Sequence, residues 1–236
     1  MASLYAMGYN SDEMIKLFNY FSKSVIAISP KDILSGMKEV RGIKIGGITS
    51  SKNIELAIEE AAKLKNVKSI NDVKIPVVMP TTDLISDKEY IFTNYKYLKG
   101  EEYIHDIDIG KAVRASSTFP GIYAPFEYDK YQFVDGGVFN NVPTEETKKL
   151  GVDKVISVVF RLNNPKKQKT LYNVAMKSLD LMTENLMKQS IKESDYVIEI
   201  DLKDVKPFSL KKLDFAYEQG YIQTIDHISK IKKILR

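Results

Sequence analysis

The spacing of apolar residues changes its period along the chain, and the changes predict the elements. Residues 2–7, ASLYAM, are good helix formers, stopped by Gly8 just past the helix end. Asn10 opens a second helix with Glu13 as its capping partner three residues on. Met14, Leu17, Phe18 and Phe21 then share one face at i, i+3, i+4 and i+7. Residues 42–53 read as a short strand and a turn, and the following helix directs Ile54, Ala57, Ile58 and Ala61 to the core. Segments 74–84 and 89–94 read as two strands joined by the polar turn ISDK. Residues 108–118 are helical and end at Pro120-Gly121. A helix from Thr144, stopped by Gly151, precedes the strand 154–160. That strand is almost wholly apolar, as expected of one covered on both faces. A long helix from Thr170 to about Lys192 carries Ala175, Leu179, Met182 and Leu186 along one stripe. Strand 196–200 and a terminal helix from about Leu210 complete the chain. Alternating strands and helices predict an α/β fold with a largely parallel central sheet.

Composition narrows the class. The 236 residues are 44% hydrophobic and contain no linker-like run, so one globular domain over 1–236 is expected. Net charge is +4, from 35 basic against 31 acidic residues, too balanced to imply nucleic acid as a partner. Basic letters cluster at 164–170 and 229–236; each reads first as a solvated face, with transient attraction to an anionic membrane surface as the minority reading. Cysteine is absent, which excludes disulfides and thiolate metal sites, and the acidic residues show no metal-cage spacing. The start, MASLYAMGYN, lacks the features of a signal peptide, and no apolar run is long enough to span a membrane. A cytoplasmic or membrane-peripheral location is expected, without metal or cofactor.

The stretch YQFVDGGVFNNVP, residues 131–143, admits two readings. Asp-Gly is the usual two-residue hairpin turn, with positive φ at both positions. Asp135 also directly follows a strand, at the end where functional residues of α/β sheets collect. Gly136 and Gly137 would then let the backbone bend, or let another segment or a substrate approach closely.

The wider context separates these readings. Segment 114–158 joins Ala-Ser-Ser before Phe-Pro-Gly, an aromatic strand, Asp-Gly-Gly and Asn-Asn-Val-Pro, and it resembles the patatin-like phospholipases. Residues 75–94 are similar to that family's central hairpin, 178–202 to its late helix and strand, and 2–18 to the helix after its nucleophile. The resemblance implies a three-layer α/β/α sandwich and a lipid acyl hydrolase working through a Ser-Asp dyad. Asp135 is then the dyad general base, with Gly136 and Gly137 completing the motif. The implied substrate is a phospholipid or another acyl-ester lipid, and the dyad needs no histidine.

Two parts of that site are missing from the sequence. Of the twelve glycines, Gly42 and Gly46 alone are spaced four apart, and Lys44 stands between them, so no serine occupies a G-x-S-x-G elbow. A Gly-rich oxyanion loop is also missing. The resemblance puts both before residue 2, which implies a chain that begins late and lacks its N-terminal strand or strands. No nucleophile is therefore assigned. Ser116 and Ser117 read as helix-terminal hydrogen-bonding residues, and His105 and His227 as surface or satisfied structural ones. The alternatives to an enzyme are an inactive remnant serving as an interaction or regulatory protein, and one half of a split enzyme.

Overall fold

The computed structural model describes residues 1–26, 50–161, 167–202, 205 and 212–236. Of the short strand and turn expected at 42–53, residues 42–49 lie outside these residues, as do part of the basic cluster at 164–170 and the start of the terminal helix. The chain forms two compact units, Met1–Phe139 and Asn140–Arg236.

The first unit opens with helices α1 (Ala2–Ala6) and α2 (Ser11–Ile26). Gly8 has φ +90°, a left-handed value that suits the residue ending a helix. Asn10 and Glu13 cap α2 reciprocally: the Asn10 N–H donates to Glu13 Oε2 at 2.8 Å, and the Glu13 N–H to Asn10 Oδ1 at 2.9 Å. Helix α3 (Lys52–Leu64) follows, then strands β1 (Val78–Asp83), β2 (Lys88–Thr93) and β3 (Tyr103–Ile104). Helix α4 (Ile109–Ser116) leads into β4 (Phe126–Tyr128) and β5 (Tyr131–Asp135).

These strands form one sheet in the order β3-β2-β1-β5-β4. The expectation of a largely parallel sheet is corrected here, because only β2 and β3 run parallel and the other three pairings are antiparallel. Connection length is the reason. The β1–β2 and β4–β5 links are four and two residues long, and a parallel crossover needs a dozen or more. Both tight links carry an aspartate at positive φ, Asp87 at 56° and Asp129 at 52°. Phe92, Phe133, Ile70 and Ile109 are fully buried in the core, and the Phe92 and Phe133 rings meet edge to face at 5.5 Å.

The second unit contains α5 (Thr144–Lys148), β6 (Ile156–Arg161), α6 (Leu171–Ser190), β7 (Tyr196–Asp201), α7 (Leu213–Ile225) and α8 (Ile228–Ile234). Strands β6 and β7 pair in parallel across six residues. Two expectations fail in this unit. Among the described residues strand β6 is covered on one face only, since Ser157 and Val159 are buried while Val158 and Phe160 are exposed. Helix α6 buries no residue fully, and of its expected stripe Leu179 and Leu186 are half-buried while Ala175 and Met182 are exposed. Apolar letters report a capacity to be covered, and among the described residues that capacity is unused. No helix among the described residues is long and apolar enough to cross a membrane.

Phe133 is fully buried in strand β5, two residues before the end of that strand. Truncating it should leave a cavity beside Phe92 that a close-packed core cannot collapse around. Phe133→Ala is expected to lower unfolding free energy by about 3–5 kcal/mol, read from urea denaturation with an unchanged m-value.

Candidate active site

Strand β5 delivers Asp135 at its last residue, and three contacts fix it. Its backbone is paired with Thr81 of β1 on one side. On the other, its N–H donates to the Thr118 carbonyl at 3.0 Å. Its side-chain Oδ1 accepts the Gly137 N–H at 2.8 Å, which caps the 3-10 turn Gly136–Val138. The DGG stretch is therefore not a hairpin turn: the Asp135 φ is −48°, and Gly136 and Gly137 are not among the positive-φ residues.

Glycine is required at 136 for space instead. A Cβ there would overlap the Pro80 carbonyl oxygen and lie 2.7 Å from the Pro80 Cβ, so the turn is pressed directly against β1. Any side chain would push the Asp135 turn off the strand that positions it.

The Asp135 carboxyl has one hydrogen-bond partner among the described residues, the Gly137 N–H, and no countercharge pairs with it. Burial raises its pKa above the ordinary aspartate value, opposed only by that hydrogen bond. An aspartate near the usual value of about 3.9 is a weak base at neutral pH, and a raised value makes a better one. Its second oxygen accepts no hydrogen bond among the described residues, which leaves it open to a hydroxyl.

A buried polar relay supports this turn from behind. Glu55 on α3 is almost inaccessible and pairs with Arg114 on α4, Nη1 to Oε2 at 2.8 Å, and with Lys52. Arg114 Nε donates to Ser51 Oγ at 3.0 Å, and its guanidinium lies 4.2 Å from the Phe126 ring centre. Thr118 Oγ1 sits 2.8 Å from Ser51 Oγ and 2.7 Å from the Arg114 carbonyl, and the Thr118 carbonyl receives the Asp135 N–H. Burial acts to raise the Glu55 pKa, but hydrogen bonds from Lys52 and Arg114 outweigh it and hold the carboxyl low.

Asp83, at the end of β1, does similar work on the other flank. It is buried and accepts from Ser86 Oγ at 2.6 Å, the Ser86 N–H at 3.0 Å and the Gln132 N–H at 2.8 Å. Burial acts to raise its pKa, yet these donors hold it below the ordinary value. The carboxylate thereby ties the β1–β2 turn to strand β5.

The other residues singled out from the sequence stay apart from Asp135. Ser116 ends α4, Ser117 is its C-terminal cap, and neither is hydrogen-bonded to the carboxyl. The ring nitrogens of His105 each lie 3.0 Å from a carbonyl, of Thr93 and of Leu98, so it fastens the loop after β2. His227 Nδ1 is 2.7 Å from the Tyr196 hydroxyl. Ser51, Glu55, Asp83, Arg114 and Thr118 were not anticipated. The Asp-x-x-Ser of the ISDK turn carried a local signal for Asp83, but its bond to Gln132 spans 49 residues and had none.

Because burial raises the folded-state pKa of Asp135, its contribution to stability is intact below the ordinary aspartate value and is lost as pH rises through the raised value. Asp135→Asn keeps an acceptor for the Gly137 N–H and removes the charge. It should be more stable than the wild type at neutral pH, with the gap closing in acid, as read by thermal melts across pH. Arg114→Met leaves Glu55 buried with Lys52 as its remaining partner and should cost about 1.5–3 kcal/mol, the range for a lost hydrogen bond to a charged group. Amide exchange at Asp135 should accelerate in that variant if the relay holds the Thr118 carbonyl in place.

The sequence matches the family described as patatin-like phospholipase over residues 1–148. It is also 30% identical over 151 residues to a protein described as a probable lipid hydrolase, 463L, of Invertebrate iridescent virus 6. That alignment covers 60% of this chain and 47% of the viral protein, so the match spans about half of the relative's length.

Proposed function

The chain belongs to the patatin-like phospholipase family, and on that premise we propose that it carries the acid–base half of a serine ester hydrolase acting on phospholipids or related acyl-ester lipids. Membership of the family supports a hydrolase of lipids, and the likeness to a probable lipid hydrolase supports the same class. The observation that carries the finer reading is the Asp135 carboxyl: rigidly turned, raised in pKa by burial, and with one oxygen open. The family match covers the first compact unit and runs on to residue 148, and the proposed single patatin-like domain extends it to the remaining residues.

Asp135 acts twice in this reading. It first takes the proton from a serine hydroxyl as the oxygen attacks the ester carbonyl, and the proton passes to the departing alcohol. It then takes a proton from water as the water oxygen attacks the acyl-serine, and the proton returns to the serine as the fatty acid leaves. The described residues hydrogen-bond no serine to Asp135, and no serine of the sequence stands in a G-x-S-x-G elbow. In this reading the described residues supply the base, and a serine hydroxyl and oxyanion donors have to be brought to it.

The test has two arms. The chain alone should give neither a product burst with an activated acyl ester nor labelling by a serine-directed phosphonate. A stoichiometric label on any of its serines would overturn the assignment. Joined to an elbow-bearing segment of a family member ahead of Met1, the chain should turn over lipid esters. Asp135→Asn should then lower turnover by about 10²–10⁴-fold. In the unsubstituted protein kcat/KM should rise with pH through a value above the ordinary aspartate pKa, because the base works when ionised.

A further inference from the structure

Helix α7 is turned inside out. Its inward side carries Ala216, which joins the small core of the second unit, and Gln223, whose side chain accepts from the Asp201 N–H at 2.8 Å and donates to the Asp201 carbonyl at 3.1 Å. Its large apolar residues, Phe215, Tyr221, Ile222 and Ile225, face outward, with Ile222 at 55% and Ile225 at 45% exposure. The stripe continues into α8. The two linking residues keep helical backbone angles, Asp226 at φ −62°, ψ −20° and His227 at φ −91°, ψ −13°. On α8 Ile231 packs inward while Ile228, Lys232 and Leu235 are exposed.

Seven of the exposed residues, Tyr221 not among them, form a palindrome about Ile225. Phe215, Glu218, Ile222, Ile225, Ile228, Lys232 and Leu235 are all exposed, at steps of 3, 4, 3, 3, 4 and 3 residues. Read outward from Ile225, isoleucine matches isoleucine, Glu218 matches Lys232, and Phe215 matches Leu235. One residue beyond, Asp214 matches Arg236, both exposed.

We propose that this face pairs with the same face of a second copy of the chain, the two helical stretches running antiparallel about a two-fold axis at Ile225. An isologous contact brings residue i against residue j and j against i, so a stripe used this way must be complementary to its own reversal. The spacing of three and four keeps the stripe on one side of a helix, as in helices that pack lengthwise. Across the axis the isoleucines and Phe215 and Leu235 form an apolar seam. Glu218 meets the second copy's lysine and Lys232 its glutamate, so the charges select the antiparallel register. Favourable charge–dipole placement accounts for acids near the start and bases near the end of a helix. It does not account for three exposed isoleucines in the middle. An anionic membrane would welcome Lys232 and Arg236 but repel Glu218 and Asp214, which lie on or beside the same stripe.

Sedimentation equilibrium on the whole chain tests the proposal. A dimer is expected, and Ile225→Asp, which places two carboxylates on the axis, should weaken it by about a hundredfold or more. Glu218→Lys and Lys232→Glu, singly, should each weaken it by about tenfold or more, and combining them should restore affinity to within about threefold. If Ile225→Asp fails to fold by circular dichroism, this exchange of exposed charges still decides. A monomer at concentrations on the order of 100 μM, a dimer indifferent to Ile225→Asp, or a double exchange that fails to restore would each overturn it. So would monomeric wild type that floats with vesicles of equal parts phosphatidylcholine and phosphatidylglycerol, which would assign the face to lipid. None of these readouts depends on ester hydrolysis, so they stand or fall separately from the proposed activity.

Discussion

The close approach of strands β1 and β5 is the constraint on which the candidate site rests. Their register sets Thr81 opposite Asp135 and Thr82 opposite Val134. At the next residue the chain leaves the strand with no room for a side chain between Gly136 and Pro80. The turn can then go only one way, and the Gly137 N–H is presented to the carboxylate it has just left. Every feature that makes Asp135 chemically interesting follows from that geometry: its orientation, its partial desolvation and its single hydrogen bond. The Glu55–Arg114 relay and the Asp83 clamp press on the two flanks of the same junction, one through the Thr118 carbonyl and the other through Gln132.

Local signals in the sequence were translated faithfully into structure. The Asn10–Glu13 cap and the helix-ending Gly8 are decided within a few residues, and both form as read. The Asp135-Gly136-Gly137 motif was also visible, because its spacing to the preceding strand is local. The physical use of its glycines was not. A turn that needs positive φ and a turn that needs space write the same letters, and only the strand lying against Gly136 separates them. The positive-φ turns of the sheet fall instead at Asp87 and Asp129, in links that carry no glycine. Sheet direction was misread for a related reason. Alternation of strands and helices suggests crossovers, yet the ISDK link is a direct strand-to-strand turn, and such a turn requires antiparallel pairing.

The supporting polar residues were out of reach of any sequence reading. Ser51 and Thr118 are 67 residues apart and Glu55 and Arg114 are 59 apart, and each alone looks like a solvated polar position. Their burial makes them costly unless every partner is present, so they act as a set. Such a set does not add stability cheaply. It limits the alternatives open to the turn that carries Asp135.

Among the described residues, Asp135 and helix α7 depart from the ordinary rules of burial in opposite senses. Asp135 is a carboxylate taken partly out of water with no countercharge among the described residues to compensate, whereas Glu55 and Asp83 are buried with several donors each. Helix α7 keeps glutamine inside and isoleucine outside, whereas α2 and α3 turn Met14, Ala57 and Ala61 inward as their periodicity requires. Folding alone favours neither departure. A sequence consistent with its own fold at most positions marks by such exceptions the places where something besides folding set the choice of residue. On the proposals made above, the complement of Asp135 is a proton donor, and that of α7 is a surface that reverses its own pattern of charge. Each absent complement is specified by the chemistry of what remains.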